Sequence, residues 1–146
     1  MTVLQNSVCV QYTPKEMYDL VNDIKAYPRY LPMISAVRIH SQTASALRAT
    51  LTLSKGAINL SFTTDNMMKD GQEIRMNLVD GPFKRLKAVW TFEPVHGDGC
   101  EATFKVDFEF KNGLMAMAFG PLFRELTESL VEAFCQQAVK RYGVRR

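Results

Sequence analysis

The sequence predicts an α+β fold in which a curved antiparallel sheet of about seven strands packs against one long C-terminal helix. The expected order is β-α-α-β-β-β-β-β-β-α. Three observations predict it. Apolar and polar residues alternate from Cys100 to Phe110, as in a half-buried strand. Apolar residues recur at three- and four-residue steps from Leu122 to Val139, as on one face of a helix. Between residues 34 and 92, alternating runs follow one another at hairpin spacing.

Composition indicates an ordinary globular chain. A length of 146 residues suits a single domain, 1–146, that can bury a core without a disulfide or a metal. The net charge of +3 is too small to indicate a nucleic-acid partner, and we expect no DNA partner. A basic C-terminus, from Lys140 to Arg146, would allow a weak, transient contact with an anionic membrane surface, although a solvated terminus is the more common explanation of such a charge run.

The cysteines and the N-terminus bear on location. Cys9, Cys100 and Cys135 are odd in number, lack metal-ligand spacing and lie in or next to apolar elements. We therefore expect buried free thiols in a reducing cytosol. Residues 1–10 do not resemble a signal peptide, and no segment approaches the roughly 20 apolar residues of a membrane span. The expected location is cytoplasmic, at most peripheral to the inner face of the membrane.

The first elements are a strand and a capped helix. Val3–Val10 reads as an edge or first strand. Thr13 is the expected N-cap, Pro14 suits the first helical position, and Glu16 completes a capping box. The helix should end near Asp23–Lys25.

The segment Tyr27–Pro32 joins this helix to the sheet. Its two prolines bracket Tyr27, Tyr30 and Leu31 and limit it to a helical turn or a tight loop. It is either a simple corner or the mouth of an apolar pocket, because tyrosines on a loop can line such an entrance.

Five further runs then read as strands, separated by turn signals at Lys55-Gly56, Asp70-Gly71 and Asp80-Gly81-Pro82. The expected strands are Ile34–His40, Leu47–Leu53, Ile58–Met68, Ile74–Leu78 and Leu86–Phe92. After the strand that ends at Phe110, a helix should begin at Gly113 and bend or restart at Gly120-Pro121.

Few residues suggest catalysis or metal binding. His40 and His96 are far apart, so neither a histidine metal site nor a Ser-His-Asp arrangement is indicated. Asp107 and Glu109 share one strand face but should point to solvent. We expect no catalytic residue, no metal and no cofactor. The basic cluster of Lys84, Arg85 and Lys87 is either a wet edge or a contact for phosphate groups.

Apolar residues are the strongest candidates for function. An ordinary core and a ligand cavity would use the same inward positions, and eight methionines favour an adaptable lining. The candidate ligand residues are Tyr27, Pro28, Tyr30, Leu31, Phe62, Met76, Leu78, Trp90, Phe108, Phe110, Met117, Phe119, Phe123 and Leu126. The sequence places Met117 and Phe119 on a methionine-rich approach to this space.

Five co-linear motifs add a family resemblance over essentially the whole chain. They are YPRYLP at 27–32, VDGPFKRL at 79–86, WTFEP at 90–94, DFEFKN at 107–112 and VEAFCQQAVKRYG at 131–143. With them the chain resembles the RatA-type ribosome-association toxin and coenzyme Q-binding START-like family, also described as polyketide cyclases and lipid transport proteins. The resemblance implies a helix-grip fold, with a tunnel for a hydrophobic molecule between the sheet and the C-terminal helix.

The resemblance also implies roles. The leading hypothesis is a non-enzymatic binder of ubiquinone or a related isoprenoid lipid that supports respiration. The alternative is a factor that binds the large ribosomal subunit and blocks subunit association. A third hypothesis, a polyketide cyclase or dehydratase, requires an acid or base in the tunnel, where only Tyr27 or Tyr30 would serve. Two departures from the family pattern are Lys87-Ala88-Val89 before Trp90, and Gln136-Gln137-Ala138 in the helix.

Overall fold

A computed structural model describes residues 2–145. Within that range the chain forms seven strands, three α-helices and one short 3-10 turn, Ile24–Ala26. The α-helices are α1 (Pro14–Asn22), α2 (Tyr27–Tyr30) and α3 (Gly113–Tyr142). The strands are β1 (Thr2–Val10), β2 (Ile34–Gln42), β3 (Ala46–Lys55), β4 (Ile58–Lys69), β5 (Glu73–Asp80), β6 (Phe83–Val95) and β7 (Gly99–Phe110).

The strands form one antiparallel sheet in the order β1-β7-β6-β5-β4-β3-β2. The first strand thus pairs with the last, and β1 and β2 are the edges. Shifts of register, such as those at Thr63/Thr64 and Phe83/Arg85, interrupt the ladders, and such bulges bend a sheet. The curved sheet wraps α3, which confirms the predicted α+β fold, the order of its elements and the helix-grip architecture.

The core lies between the inner face of this sheet and α3. On β7, every second residue from Cys100 to Phe110 is buried, as the alternation predicts. Facing them, α3 buries the apolar stripe that begins at Leu122 and ends at Ala138. Because these two sets of side chains meet, any ligand held by this fold must compete with them for space.

A set of polar contacts ties the end of α3 to the start of α1. The predicted capping box is present: Thr13 Oγ1 accepts from Glu16 N at 3.1 Å, and Glu16 Oε1 accepts from Thr13 N at 2.9 Å. Tyr12 Oη donates to the Gly143 carbonyl at 2.6 Å, and Tyr142 Oη donates to the Glu16 carbonyl at 2.8 Å. The Glu16 carboxylate also accepts from Arg145 Nη2 at 2.7 Å. We call these contacts the terminal clamp.

The helix α3 differs from expectation at its start. It does not restart at Gly120-Pro121 but continues from Gly113 to Tyr142 with Pro121 inside it. A proline there removes one backbone donor, and the face concerned is open to water: Met117, four residues earlier, is 80% exposed. Leu114 is 74% exposed. The first two turns of α3 therefore lie largely on the surface, with Met115 and Phe119 packed partly against the core.

The cysteines also depart partly from expectation. All three are free, as predicted, and Cys100 is fully buried. Burial raises the pKa of the Cys100 thiol to about 11, so it stays protonated at neutral pH. Cys9, however, is exposed, because it lies on the edge strand β1 with its side chain on the outer face.

Candidate ligand site between the sheet and the long helix

A cavity of about 80 Å³ lies between the sheet and α3. Its walls are almost wholly apolar and come from α2, from strands β2 to β7 and from the middle of α3. They are formed by Tyr27, Ile34, Leu51, Phe62, Thr64, Met76, Leu86, Ala88, Trp90, Phe104, Val106, Phe123, Leu126, Thr127, Leu130 and Phe134. We call this space the main cavity.

The main cavity exists because of the register of β6 and β7. Leu86 pairs with Phe108 and Trp90 pairs with Phe104, whereas the pair between them, Ala88 and Val106, is small. Inward side chains of neighbouring strands must fill the space under the helix, and a small pair between two large ones leaves it unfilled. The void therefore results from two small inward residues, Ala88 on β6 and Val106 on β7.

A second, smaller cavity of about 50 Å³ adjoins the main one. The two share Tyr27, Leu51, Phe62, Thr64, Met76 and Trp90. The smaller one is also lined by Val21 and Asn22 of α1, and by Asn66 of β4. It therefore extends the main cavity towards α1, and we call it the inner cavity.

Polar groups converge on the inner cavity. Thr64 and Asn66 are 7% and 3% exposed, and Thr64 Oγ1 donates to Asn66 Oδ1 at 2.7 Å. Asn22 Oδ1 is buried and has no hydrogen-bond partner within residues 2–145. These three residues give an otherwise apolar space one polar end.

Aromatic rings close the side of the main cavity nearest α2. Tyr27 packs on Phe134 with ring centroids 5.5 Å apart, and Phe134 meets the face of Trp90 edge-on at 5.4 Å. Tyr27 Oη donates to the Val21 carbonyl, and burial raises its pKa well above the ordinary value of 10.0. The phenol is consequently neutral and already engaged.

A surface groove of about 300 Å³ runs between the end of α2, together with the residues that follow it, and the middle of α3. Tyr30, Leu31 and Met33 lie on one side, and Ser129 and Ala133 of α3 lie on the other. Leu126 lines both this groove and the main cavity. Its side chain therefore separates the groove from the main cavity, and we call this space the outer groove.

Tyr30 stands at the same boundary. Its ring lies 6.0 Å from that of Phe134, and its hydroxyl is buried with no partner within residues 2–145. Burial raises the pKa of this phenol. An unpartnered buried hydroxyl is costly, so the side chain has little to hold it in this position beyond its apolar contacts.

The far end of the interface is filled with rings. Phe83 stacks on Phe110 at 4.7 Å and meets Phe123 at 5.0 Å, while Phe108 meets Phe123 at 4.8 Å. Phe62 contacts Phe83 at 5.7 Å and borders both the rings and the cavity. We call the cluster of Phe83, Phe108, Phe110 and Phe123 the packed end.

The structure brings together six of the fourteen candidate residues at the main cavity: Tyr27, Phe62, Met76, Trp90, Phe123 and Leu126. Tyr30 and Leu31 line the outer groove. The other six are not at either place, which corrects their assignment. Phe108 and Phe110 are in the packed end, Leu78 is half-buried, Pro28 and Met117 are exposed, and Phe119 is half-buried ahead of the first buried turn of α3.

Sequence reasoning also missed residues of the site. Phe134, Leu130 and Phe104 lie on the same apolar faces as the candidates but are not among the fourteen candidate residues. Thr64 and Asn66 carried a usable signal, because they share the inward parity of Leu60 and Phe62 on one strand. Polar residues at inward positions are uncommon and point to a site. Asn22 gave no such signal, since it ends a helix.

Charged groups are scarce around these cavities. Among residues 2–145, no group of three or more His, Cys, Asp or Glu side chains could hold a metal ion. Tyr27 is the one titratable side chain that lines either cavity within the part of the chain described. No helix in that range is long and apolar enough to cross a membrane.

Comparison with known proteins defines the class. Residues 10–135 match the model of the polyketide cyclase / dehydrase and lipid transport family, and the chain belongs to that family. It is 41% identical over 145 residues to the ribosome association toxin RatA of Escherichia coli K12, covering 99% of this chain and 92% of that protein.

One more distant relative and one solved structure extend the comparison. The chain is 27% identical over 138 residues to the mitochondrial coenzyme Q-binding protein COQ10 of Drosophila melanogaster, covering 92% of this chain and 57% of that protein. The crystal structure of the Zhui aromatase/cyclase from Streptomyces sp. R1128 superposes with a TM-score of 0.83 at 12% identity, over 96% of this chain and 94% of that one. This last likeness shows the fold alone.

Proposed function

We propose that the protein binds a hydrophobic molecule with a flat ring and an apolar tail, ubiquinone or a related isoprenoid quinone, between the sheet and α3. The observation that carries the proposal is the main cavity, which is walled by Trp90, Phe104 and Phe134 and adjoins a polar end. Flat aromatic walls suit a ring, and burial of apolar surface supplies affinity at about 25 cal/mol per Å² without catalytic groups. Similarity to a coenzyme Q-binding protein supports the same ligand class.

The volumes indicate how such a ligand would be accommodated. The main cavity, at about 80 Å³, is smaller than the roughly 300–1,000 Å³ typical of sites for whole ligands. It can accept part of a ring but not a tail. We propose that the ring enters the cavity and that the tail lies in the outer groove, of about 300 Å³. Rotation of Leu126 and Tyr30 would join the two spaces.

Binding is favoured over catalysis by the chemistry of the walls. Cyclisation or dehydration of a polyketide needs a general acid or base near the substrate. Tyr27, the one titratable side chain that lines the main or the inner cavity among the described residues, is neutral and donates a hydrogen bond to the Val21 carbonyl. The outer groove is also lined by Tyr30 and Glu125, and the Glu125 carboxylate pairs with Lys55 at 2.7 Å. The proposed activity is therefore carriage or presentation of the ligand.

Fluorescence provides the test. Trp90 is the single tryptophan and lines both cavities, so a quinone bound there should quench its emission. Decyl-ubiquinone should quench it with a saturable dependence, whereas N-acetyl-tryptophanamide should show only a linear, collisional response. Mass spectrometry of an organic extract of the purified protein should also detect a quinone. Linear quenching alone, together with a lipid-free extract, would refute the proposal.

A second candidate function, association with the large ribosomal subunit, rests on the 41% identity to RatA over 99% of the chain. The electrostatics give it limited support. In the basic cluster on β6, Lys84 pairs with Glu109 at 3.6 Å and Arg85 pairs with Asp107 at 3.1 Å. Lys87 is exposed and, among residues 2–145, forms no ion pair.

Co-sedimentation with purified large subunits tests this second candidate. A contact with RNA phosphates should weaken steeply between 50 and 200 mM salt. Binding that persists across that range would indicate a contact with ribosomal protein or an apolar surface instead. Absence of the protein from the subunit fraction at low salt would exclude the role.

A further inference from the structure

The inner cavity has polar side chains at one end, which a purely apolar ligand would not need. Asn66 is 3% exposed, and its side-chain oxygen already accepts from Thr64. No hydrogen bond from its amide nitrogen is found within residues 2–145. Asn22 Oδ1, on the same cavity, is buried without a partner in that range. Two carboxamides with unused capacity thus face one small space.

Such capacity has a physical consequence. Buried polar groups in folded proteins are nearly always satisfied, because an unmade hydrogen bond leaves the cost of desolvation uncompensated. A carboxamide can donate through its nitrogen and accept through its oxygen. The pair of Asn22 and Asn66 can therefore receive a ligand oxygen whether it is a carbonyl or a hydroxyl.

The order of the outer groove, the main cavity and the inner cavity determines which end of a ligand enters first. The outer groove shares Leu126 with the main cavity but shares no lining residue with the inner cavity. A ligand that enters from the groove reaches the carboxamides last. Its leading end must then be polar, and its trailing end must be apolar.

We propose that Asn66, positioned by Thr64 and lining the same inner cavity as Asn22, is the recognition site for a ring oxygen of the ligand. The ligand class is an oxygen-substituted ring, a quinone or its quinol, that enters ring first. This inference rests on the proposed function, since it specifies how the same cavity selects its ligand. The selection is against apolar molecules of equal length, which would leave both carboxamides unsatisfied.

A matched pair of ligands tests the assignment. Decyl-ubiquinone and decylbenzene carry the same tail, but only the first has ring oxygens. Isothermal titration calorimetry of the unaltered protein should show at least a tenfold preference for decyl-ubiquinone. Asn66→Leu and the nearly isosteric Thr64→Val should each lower the affinity for decyl-ubiquinone about tenfold and leave that for decylbenzene within twofold. Because Asn66→Leu can affect folding, Thr64→Val provides the independent variant.

The control is Thr63→Val, on the same strand but facing outward, where Thr63 Oγ1 lies 2.6 Å from Thr50 Oγ1. It should leave both affinities unchanged. If the unaltered protein binds neither ligand, the proposed function fails. If it binds both equally, or if Thr64→Val weakens both in parallel, binding stands but recognition of the ring oxygen is refuted. Unchanged binding of decyl-ubiquinone by both variants would also refute it.

Discussion

The two ends of the interface between the sheet and α3 are built from the same strands but are packed differently. At the packed end, Phe83 lies among rings 4.7–6.5 Å away and is 2% exposed. At the cavity end, Ala88 faces Val106 and leaves a void. One end therefore holds the fold together, while the other leaves room for a ligand. The sizes of a few inward side chains determine which end stabilises the fold and which end can hold a ligand.

The largest effect is expected at the packed end. Phe83→Ala should lower the free energy of unfolding by about 3–5 kcal/mol, because it removes a buried ring and leaves a cavity that its neighbours cannot fill. Urea unfolding followed by circular dichroism measures this. A loss below about 1.5 kcal/mol would mean that the packed end relaxes easily and that the contrast between the two ends is wrong.

At the cavity end, a larger side chain should leave stability almost unchanged but should block ligand binding. Ala88→Leu places three more carbons into existing space, so it should keep stability within about 1 kcal/mol of the unaltered protein and lower quinone affinity at least tenfold. Val89→Leu, at the neighbouring outward position, is the matched control and should leave binding unchanged. Destabilisation of Ala88→Leu by 2–3 kcal/mol would show overpacking and hence no usable void.

Tyr27 and Tyr30, the first and last residues of α2, test which side chains form the fixed wall of the main cavity and which can move. Tyr27→Phe removes the bond to the Val21 carbonyl and should cost about 1 kcal/mol in unfolding free energy. Tyr30→Phe removes a buried hydroxyl with no partner among the described residues, so stability should be unchanged or slightly higher. Equal losses for the two variants would show that Tyr30 has a hydrogen bond and does not act as a movable gate.

The terminal clamp fixes the C-terminal end of α3. Along this helix, Phe123 lies at the packed end, the residues that line the main cavity follow, and Tyr142 lies at the clamp. Hydrogen bonds from Arg145 lower the pKa of Glu16 from 4.5 to about 2. A lowered folded-state pKa means that the ionised form stabilises the fold. That stability is fully present above about pH 4.5 and is lost as the pH falls through about 2.

Glu16→Gln tests the clamp. It should destabilise the protein by on the order of 1 kcal/mol at pH 7, because the carboxylate is partly exposed and screened by solvent. The difference from the unaltered protein should shrink between pH 4.5 and pH 2, as urea titrations at several pH values would show. A difference that does not depend on pH would show that the charge of the Glu16 carboxylate does not stabilise the fold, because the glutamine side chain keeps an acceptor for the Thr13 N–H of the capping box. The packed end, which has no titratable side chain, should not contribute.

The elements and buried faces at both ends could be predicted from the sequence, whereas the void at the cavity end could not. Alternation and helical period are local, so the seven strands, the long helix α3 and the buried faces of β7 and α3 could be predicted from them. The short helix α2 could be predicted only as a helical turn or a tight loop, from the two prolines of the segment Tyr27–Pro32. The void depends on which residues of β6 and β7 stand opposite each other, and the pairing of Ala88 with Val106 is set by register over the whole hairpin. Thr64 and Asn66 were predictable in principle, because their inward parity follows from Phe62.

Met117 shows the limit of that reasoning and provides the smallest predicted effect. An apolar pattern from Leu114 to Phe119 resembles a buried helix turn, but burial depends on where the helix first meets the sheet, and its first fully buried residue is Leu122. Met117→Glu should therefore change stability by less than about 0.5 kcal/mol and leave quinone quenching of Trp90 unchanged. The matched change at the cavity, Leu126→Glu, should abolish quenching. A loss of quinone binding in Met117→Glu would mean that the ligand reaches the cavity across the start of α3, and the outer groove would then not be its route.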